Sequence, residues 1–447
     1  MIDVLVLGAG VAGVTAARAL SATGLSVVVA EGRHRVGGRV HTIRDFCERP
    51  VEGGAEFIHG VRAATWPEVR NANLSVRACH QRHMMFNAGG ATRWLPWVML
   101  HPGVWPAVTI FRALGRARPP DVSAREFLER RGYRGRARLI AEMVLTGHLP
   151  GSVDEIGVLG LLDDGVHTLE RGTNYRIDDG YDRLPQHVAA GLDVRSGFDI
   201  ETVRWDAGGV AVVARDGREL AARTGISTLP VGVLKSGRVR FSPVLPDAKR
   251  AALDRVEMGP VVKLLLRFHE RFWPRWANSI ACATGPVTLY WPVFHGERSA
   301  PPVLVAYATG DRARLLGHVG EAEAVEIALS DLRRLFPSAD PKRRLVDARR
   351  IDWSSDPFAW GGYTFLRPDA AGARDRLAAA DTGALFWAGS ATQRVPIADT
   401  VEAAYSSGLR AAGEARTHFG VPLLPVGRCS PVPIRRASAS SAHLGES

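Results

Sequence analysis

A glycine-rich turn near the start of the chain constrains the fold more tightly than any other segment. Gly8, Gly10 and Gly13 have the spacing GxGxxG, directly after an apolar run at 4–7 and before a segment of helical character at 14–22. Alone, this spacing is a weak signal. Between a strand and a helix, it predicts a Rossmann-like βαβ unit. Gly8 then allows the tight turn, Gly10 lets the backbone approach a pyrophosphate, and Gly13 lets helix and strand pack closely.

The residue that ends the second apolar run, at 25–30, indicates which nucleotide such a unit would bind. Glu31 stands eighteen residues after Gly13, where a carboxylate can accept hydrogen bonds from ribose hydroxyls. A carboxylate there would repel a 2′-phosphate, which argues against NADP. The alternative, a βαβ unit without a ligand, is disfavoured by the complete strand–turn–helix context.

Composition sets the broad class of protein. The chain has 447 residues, 46% hydrophobic and 23% charged, with a net charge of +11, which favours two joined globular domains. Only four of the 57 basic residues are lysines, and the arginines are scattered, so we expect no nucleic-acid partner. The four cysteines lack metal-ligand spacing. We therefore expect no metal, free thiols and a cytoplasmic protein, with no signal peptide and no membrane association.

The order of segments predicts an α/β fold, α+β overall, in which two domains interleave. Residues 61–170 are rich in arginine and tryptophan and have helical periodicity, so we expect a helical insertion. Most of Trp94, Trp97 and Trp105 should pack in its core. The predicted domains are a discontinuous nucleotide-binding domain at 1–60, 172–245 and 350–420, a substrate domain of mixed sheet plus helices at 61–171 and 246–349, and a disordered tail at 425–447.

Five further segments resemble one enzyme family. EGRHRVGGR at 31–39 resembles the extended FAD signature of the flavin-containing amine oxidases, a family that includes monoamine oxidases, polyamine oxidases and lysine-specific histone demethylases. The match continues at 52–60, 258–263 and 353–363 and closes with a motif in two parts, 386–392 and 400–404, in the family's order. The resemblance covers nearly the whole chain, and it implies a Rossmann-like FAD-binding domain with FAD as the cofactor.

The resemblance also implies which residues contact FAD. Arg33 and Arg39 should lie near the pyrophosphate, a strand at 195–203 should meet the adenine through Ile200, and Thr400 should lie beside the isoalloxazine. The full set of expected cofactor-binding residues is Gly8, Gly10, Gly13, Glu31, Arg33, Gly38, Arg39, Gly54, Ala55, Glu56, Ile200, Gly389, Ser390, Thr400 and Val401.

Three departures from the family pattern qualify this picture. Ser390 replaces the glutamate of a GExT motif, which removes a carboxylate acceptor for a ribityl hydroxyl. Gly362 stands where covalent monoamine oxidases have cysteine, so FAD should be held non-covalently. Thr400 takes one side of the two-residue aromatic cage of monoamine oxidases and leaves only Tyr363 aromatic. The substrate should therefore differ in size or orientation from a standard monoamine.

Four residues are the candidates for catalysis. Lys263 has apolar neighbours on both sides, and burying an unpaired ammonium is costly. The resemblance implies that it holds a water against flavin N5, whereas the alternative is a lysine that snorkels to solvent. His59 could equally be a structural histidine or a functional one. The resemblance also implies that Trp353 flanks the flavin ring and that Tyr363 forms one wall of the substrate cavity.

These observations predict a bacterial-type FAD oxidase. It would take a hydride from the carbon next to the nitrogen of a small-molecule amine and pass the electrons to O2, giving an imine, then an aldehyde or ketone, and hydrogen peroxide. A homodimer is the candidate assembly. The alternatives are an FAD-dependent desaturase, a flavoprotein kept for binding, and an L-amino-acid oxidase. Phe57 stands where amino-acid oxidases carry a substrate-clamping arginine, but nearby Arg62 keeps the last alternative open.

Overall fold

The computed structural model describes residues 1–79, 84–100, 105–147, 149–166, 173–381, 384–393 and 399–421. The strands in these ranges are β1 Ile2–Leu7, β2 Val27–Ala30, β3 Thr42–Ile43, β4 Val51–Glu52, β5 Ile58–His59, β6 Val76–Cys79, β7 Met84–Asn87, β8 Arg93–Trp94, β9 Asn174–Ile177, β10 Asp193–Arg195, β11 Ile200–Asp206, β12 Gly209–Ala214, β13 Glu219–Ser227, β14 Arg240–Ser242, β15 Val256–Gly259, β16 Val261–Phe268, β17 Ser279–Cys282, β18 Leu289–Pro292, β19 Val303–Thr309, β20 Leu345–Asp352, β21 Tyr363–Leu366 and β22 Leu385–Trp387. The helices are α1 Val11–Ser21, α2 Trp66–Asn71, α3 Leu95–Met99, α4 Trp105–Val108, α5 Ile110–Gly115, α6 Ala124–Arg130, α7 Gly135–Thr146, α8 Val158–Asp163, α9 Arg183–Ala189, α10 Val231–Lys235, α11 Asp247–Arg255, α12 Gly310–His318, α13 Glu321–Leu335, α14 Pro341–Arg344, α15 Ala373–Ala378 and α16 Val401–His418.

The first large sheet contains the predicted βαβ unit. Its strands run in the order β10-β2-β1-β13-β12-β11-β14, with β22 beside β13, and β1 is parallel to both β2 and β13. The central strands are apolar throughout because helices cover them: α1 and α16 pack together on one face. The turn at Gly8 to Gly10 therefore lies at the carboxyl end of β1, the edge where open parallel sheets bind ligands.

The second large sheet supplies the opposite wall of the site. Its order is β20-β16-β19-β18-β17-β7-β8, and β16, which is buried along almost its whole length, lies between β20 and β19. Alternation along β16 sends Val262, Leu264 and Leu266 into a core with α12 and α13. Lys263 and its neighbours Val261 and Leu265 consequently point to the other face.

Local structure departs from the sequence-based expectations in three places. The 61–170 region is not wholly helical, because β6, β7 and β8 lie within it and join two sheets. Trp94, Trp97 and Trp105 are 38%, 64% and 60% exposed, so the expected core packing is wrong for all three. The expected strand at 195–203 is two strands, β10 and β11, because the chain turns between them at Gly197, where φ is +66°.

Other expectations agree with the strands and helices or lie outside the described residues. β1, α1 and β2 form the predicted strand–helix–strand unit over the segments at 4–7, 14–22 and 25–30. The strands of the first sheet fall within 1–60, 172–245 and 350–420, although the domain boundaries stay a prediction. The expected tail at 425–447 lies outside the described residues.

Two features are absent from the described residues, a membrane-spanning helix and a metal-binding cluster. None of the helices in these ranges is long and apolar enough to cross a membrane. Across the same ranges, no group of three or more histidine, cysteine, aspartate or glutamate side chains could hold a metal ion.

Candidate active site

A cavity of about 980 Å³ is lined by residues from both large sheets and from the start of α16. Its volume lies near the upper end of the range of roughly 300–1,000 Å³ for small-molecule sites. It brings together all the predicted site residues except Gly13, namely Gly8, Gly10, Glu31, Arg33, Gly38, Arg39, Gly54, Ala55, Glu56, His59, Ile200, Lys263, Trp353, Tyr363, Gly389, Ser390, Thr400 and Val401. Motifs spread over nearly 400 residues therefore converge on one space.

The three glycines of the opening turn have different roles in the geometry. Gly8 has φ +105°, a left-handed conformation that favours glycine. A Cβ on Gly13 would lie 1.9 Å from the Gly8 carbonyl oxygen, so Gly13 serves the contact between strand and helix. A Cβ on Gly10 would meet no atom within 4 Å and would enter the cavity. The predicted division of labour among the three residues fits this arrangement.

Glu31 closes the same end of the cavity from the end of β2. Its carboxylate accepts hydrogen bonds from the Ala9 N–H at 2.6 Å and the Arg33 N–H at 2.8 Å. Burial raises the pKa of Glu31, and the two backbone donors partly offset that effect. Glu31 is thus fixed beside the glycine turn with its carboxylate at the cavity wall, as ribose binding requires.

Arg33 and Arg39 both line the cavity, and both guanidinium groups already bind acceptors of the protein. Arg33 forms a two-bond ion pair with Asp356, at 2.7 and 2.9 Å. Arg39 donates to the Gly362 carbonyl at 2.5 Å and to Ser390 Oγ at 2.9 Å. Their expected contact with a pyrophosphate stays a prediction.

Asp399 is a cavity residue that sequence reasoning missed, and it lies beside the Ser390 departure. Its carboxylate accepts from the Ser390 hydroxyl, from Arg39 at 3.3 Å, and from both the N–H and the hydroxyl of Thr364. Burial would raise the pKa of Asp399, but Arg39 and Arg374 outweigh it and hold the pKa below its usual value. These four donors match the four lone pairs of the carboxylate, and the backbone of Asp399 has a left-handed φ of +62°.

The residues of the glycine-lined end fit a bound dinucleotide. Gly10, Gly38 and Gly389 leave backbone open to the cavity where side chains would fill it; the nearest atom to a Cβ on Gly389 is 4.0 Å away. Gly10 is also the N-cap of α1, whose first N–H groups have no partner within the helix and attract phosphate oxygens. Backbone N–H groups, Glu31 and open space together suit a pyrophosphate flanked by a ribose.

A buried ion cluster forms the other end of the cavity. Lys263, only 5% exposed, donates to the Glu52 carbonyl at 3.2 Å, the Gly54 carbonyl at 2.8 Å and the Glu56 carboxylate at 3.1 Å. Glu56 also accepts from Arg176 and from the indole N–H of Trp291. The snorkelling alternative for Lys263 is thereby wrong, because the ammonium ends inside the protein. All three of its N–H donors have protein acceptors.

Two cations, Arg176 and Lys263, pair with the single carboxylate of Glu56 in this cluster. Burial alone would raise the pKa of Glu56, but Arg176 and Lys263 outweigh it, so its pKa lies below the usual value and it stays ionised. With Lys263 and Arg176 cationic, the three groups carry a net charge of +1. The Lys263 ammonium also lies 5.3 Å from the centre of the Trp291 ring, within cation–π range.

Aromatic rings line the cavity around this cluster. Trp353, almost fully buried, is fixed by its indole N–H, which donates to the Gly53 carbonyl at 3.1 Å. Trp291 and Tyr307 pack against each other, with ring centres 5.5 Å apart. Tyr363 lies at the start of β21, and burial raises its pKa, so its phenol stays protonated. The result is a largely apolar space beside one positively charged cluster.

His59 meets the cavity from β5. Its ring nitrogen Nδ1 lies 3.0 Å from Oδ1 of Asn174, on the neighbouring strand β9. Burial lowers the pKa of His59, and the Asn174 contact opposes that effect. The imidazole is therefore neutral near pH 7, because its ordinary pKa of about 6.5 is already below that value.

Sequence reasoning could not have found three of the residues that complete the site. Asn174, Arg176 and Trp291 lie on short strands outside the family motifs and reach the cavity only through tertiary packing. Asp399 carried one usable signal: it lies directly before the matched segment at 400–404 and follows Ser390, the position where the family's carboxylate is missing, in the chain.

Comparisons with known proteins agree with this geometry. The model of the flavin-containing amine oxidoreductase family matches residues 11–416. Polyamine oxidase 4 of Oryza sativa subsp. japonica is 30% identical over 93% of this chain and 88% of its own length. Among solved structures, cyclohexylamine oxidase from Brevibacterium oxydans IH-35A has a TM-score of 0.80 at 18% identity, covering 94% of this chain and 99% of the other. Putrescine oxidase bound to putrescine has a TM-score of 0.78 at 20% identity, covering 93% of this chain and 99% of the other. The chain therefore belongs to the flavin-containing amine oxidoreductases and is an FAD-dependent enzyme that oxidises amines.

Proposed function

We propose that the protein is an amine oxidase that uses O2 as its electron acceptor and releases hydrogen peroxide. The balanced reaction removes one hydrogen from the carbon and one from the nitrogen of an amine, and it gives an imine while O2 becomes H2O2. Bound FAD supplies the two-electron chemistry by taking a hydride equivalent from the carbon next to nitrogen. The protein's residues bind and orient the amine and keep water away from it.

The observation that carries the proposal is the Glu56–Lys263–Arg176 cluster. Its net charge of +1 stabilises the negative charge that develops on O2 during reduction, since a preorganised cation is most effective in a largely apolar site. Lys263 is the residue of the cluster that we assign to this step. A water bridge from Lys263 would require one of its N–H groups to leave a protein acceptor, and the 3.2 Å contact with the Glu52 carbonyl is the longest of the three.

Substitution of Lys263 by methionine tests this role. We expect Lys263→Met to slow flavin reoxidation by O2 more than tenfold in stopped-flow absorbance, while anaerobic reduction by amine changes less. Lys249→Met is the matched control, because Lys249 is also a buried lysine bonded to backbone carbonyls but does not line the cavity. Equal reoxidation rates in wild type and Lys263→Met would contradict the assignment.

The aromatic walls support an amine substrate with an apolar body. We infer that Trp353 and Tyr363 flank the flavin and the substrate, and that His59 contacts the amine nitrogen. Putrescine, spermidine, cyclohexylamine and L-leucine form a panel that separates diamines, polyamines, monoamines and amino acids. Anaerobic bleaching of the flavin by one of them, with peroxide released in air, is the expected result. Bleaching by none of a broad amine set would contradict amine oxidation.

One observation keeps an amino-acid substrate as the second candidate. Arg62 and Arg176 both line the cavity near His59, and a guanidinium is the usual partner of a substrate carboxylate. Arg176 binds Glu56 and the Val293 carbonyl. Arg62, three residues after His59 in the chain, is the residue to test. Flavin bleaching by L-leucine but not by cyclohexylamine, lost in Arg62→Met, would favour this candidate.

We also infer that FAD is held non-covalently and that the enzyme works in a reducing compartment such as the cytoplasm. Gly362 lines the cavity where a cysteine would be needed for attachment, and a Cβ there would lie 2.2 Å from Val261 Cγ2. Cys47, Cys79 and Cys282 are free thiols. Acid precipitation should release the yellow cofactor into the supernatant, whereas a yellow pellet would show a covalent bond.

A further inference from the structure

Ser390 and Asp399 form a short hydrogen-bonded chain beside the glycine-lined end of the cavity. Ser390 follows Gly389, whose backbone is open to the cavity, and its hydroxyl donates to the Asp399 carboxylate. Arg39, which follows Gly38, donates to Ser390 Oγ at 2.9 Å. All five residues line the cavity. A group bound against the two glycines therefore lies next to the Ser390 side chain.

The hydrogen of the Ser390 hydroxyl has a fixed direction. An ionised carboxylate can only accept hydrogen bonds, so the hydrogen between Ser390 Oγ and Asp399 belongs to the serine. Asp399 is ionised because Arg39 and Arg374 hold its pKa below the usual value. One lone pair of Ser390 Oγ accepts from Arg39, and the second has no donor within the described part of the chain. The oxygen can thus offer a ligand an acceptor and no donor.

An acceptor without a donor discriminates between the groups of FAD. Pyrophosphate oxygens are themselves acceptors and cannot donate to Ser390. Hydroxyl groups can donate to it, and FAD has them at two places, on the ribose next to the adenine and on the ribityl chain beyond the pyrophosphate. Glu31 lies at the end of the cavity that suits the ribose. The ribityl chain is then the part of the cofactor that matches Ser390.

We propose that Asp399 is a positioning residue that makes Ser390 Oγ an acceptor for a ribityl hydroxyl of FAD. The carboxylate that is missing at position 390 is thus supplied from position 399, one hydrogen bond away. Without Asp399, the Ser390 hydroxyl could turn its hydrogen towards the cofactor, and the acceptor would be lost. The proposal concerns the binding of FAD and does not depend on the proposed reaction with O2.

The backbone of Asp399 allows the carboxylate to be removed without a change of conformation. Its φ of +62° lies in the left-handed region, which glycine adopts freely and aspartate more readily than most residues. Thr364 also holds this carboxylate, through both its N–H and its hydroxyl. Glycine at position 399 would therefore keep the path of the chain and delete only the acceptor group.

Asp399→Gly gives the test, and the measured quantity is the dissociation constant of the apoprotein for FAD, from quenching of flavin fluorescence. We expect FAD to bind about tenfold or more weakly, because Ser390 no longer offers its acceptor to the ribityl chain. ADP has the adenosine and the diphosphate but no ribityl hydroxyl, so its dissociation constant, from titration calorimetry, should stay within about threefold of the wild-type value.

Two further variants separate this role from a loss of stability. Asp381→Ala is the matched control, because Asp381 also pairs with a buried lysine and a tryptophan indole but does not line the cavity. It should lower the free energy of unfolding and leave the dissociation constants of FAD and ADP unchanged. Ser390→Ala removes the acceptor with a smaller change than Asp399→Gly, and it should weaken FAD binding and spare ADP in the same way.

A second substitution can return a carboxylate to position 390. In the double variant Ser390→Glu/Asp399→Gly, the longer side chain has the space that the Asp399 carboxylate has left, and its oxygens accept without a positioning partner. FAD should bind about tenfold more tightly than in Asp399→Gly. Ser390→Glu alone places two carboxylates side by side and should weaken FAD binding.

Three results would overturn the proposal. One is a wild-type dissociation constant for FAD in both Asp399→Gly and Ser390→Ala. Another is an equal loss of affinity for ADP and FAD, which would trace the effect to the phosphates or to the fold. The third is a double variant that binds FAD no more tightly than Asp399→Gly. Failure of the proposed function is distinct from these, because it shows as a protein that binds FAD but is not bleached by any amine.

Discussion

The glycine turn provides a matched pair of variants that separates folding from cofactor binding. Gly10→Ala adds a methyl group that meets no protein atom within 4 Å, at φ −65°, a value that alanine adopts easily. As an N-cap residue, alanine costs somewhat more than glycine, about 1 kcal/mol at most. The apoprotein should therefore keep its free energy of unfolding within about 1 kcal/mol. The same methyl group occupies cavity space where the backbone should approach the pyrophosphate, so FAD should bind at least tenfold more weakly.

Binding linkage converts that loss into a stability difference. At a free FAD concentration of a thousand times Kd, the wild-type holoprotein gains about 4.1 kcal/mol over the apoprotein, and a tenfold weaker variant gains about 2.7 kcal/mol. Urea denaturation with and without FAD measures this gap, and quenching of flavin fluorescence measures Kd directly. The difference in the free energy of unfolding between the holo and apo forms should thus be about 1.4 kcal/mol smaller in Gly10→Ala than in the wild type.

Gly13→Ala is the control, since its methyl group would lie 1.9 Å from the Gly8 carbonyl oxygen. Overpacking of that size typically costs about 1–3 kcal/mol and here should destabilise the apoprotein itself. Two results would refute the reasoning: an unchanged Kd for FAD in Gly10→Ala, or a loss of apoprotein stability in Gly10→Ala equal to that in Gly13→Ala.

Three further predictions concern buried charge. Glu56→Gln leaves two buried cations without their carboxylate and should lower the free energy of unfolding by about 3–5 kcal/mol in urea denaturation; wild-type stability would contradict it. Asp164→Asn should cost a similar amount, because it removes the carboxylate that accepts from both Nε and Nη2 of Arg374, a side chain that is 1% exposed, and a loss under 1 kcal/mol would count against that pair. Burial raises the pKa of Glu52 from 4.5 to about 8, so its proton stabilises the fold fully below pH 4.5, and that contribution is lost as the pH rises through about 8. Glu52→Gln should flatten this part of the curve of unfolding free energy against pH, and an unchanged slope would refute the assignment.

Local motifs explain why so much of the site was predictable. A strand, a glycine turn and a helix define their own geometry within about thirty residues, so Gly8, Gly10 and Glu31 could be assigned before any tertiary contact was known. The segments matched to the family extended this to Lys263 and Tyr363. Eighteen of the predicted residues line one cavity, although their individual roles stay predictions.

Contacts between distant strands explain what was missed. Arg176 joins Glu56 across 120 residues, and Trp291 joins it across 235; no spacing in the chain encodes either pairing. The exposed tryptophans of the insertion failed for a related reason. Composition favours burying an aromatic ring, but it does not say which face of a short helix meets the core.

The cavity has one consequence for the biosynthesis of the enzyme. Its walls include Val11 and Ala12 at the start of α1 and Val401 and Ala403 at the start of α16. A growing chain cannot complete this wall until residue 403 and the helix that carries it have left the ribosome. Cofactor loading is therefore a late event, and every newly made molecule passes through an apo stage. The cellular supply of FAD should accordingly set the fraction of newly made molecules that escapes proteolysis during the apo stage.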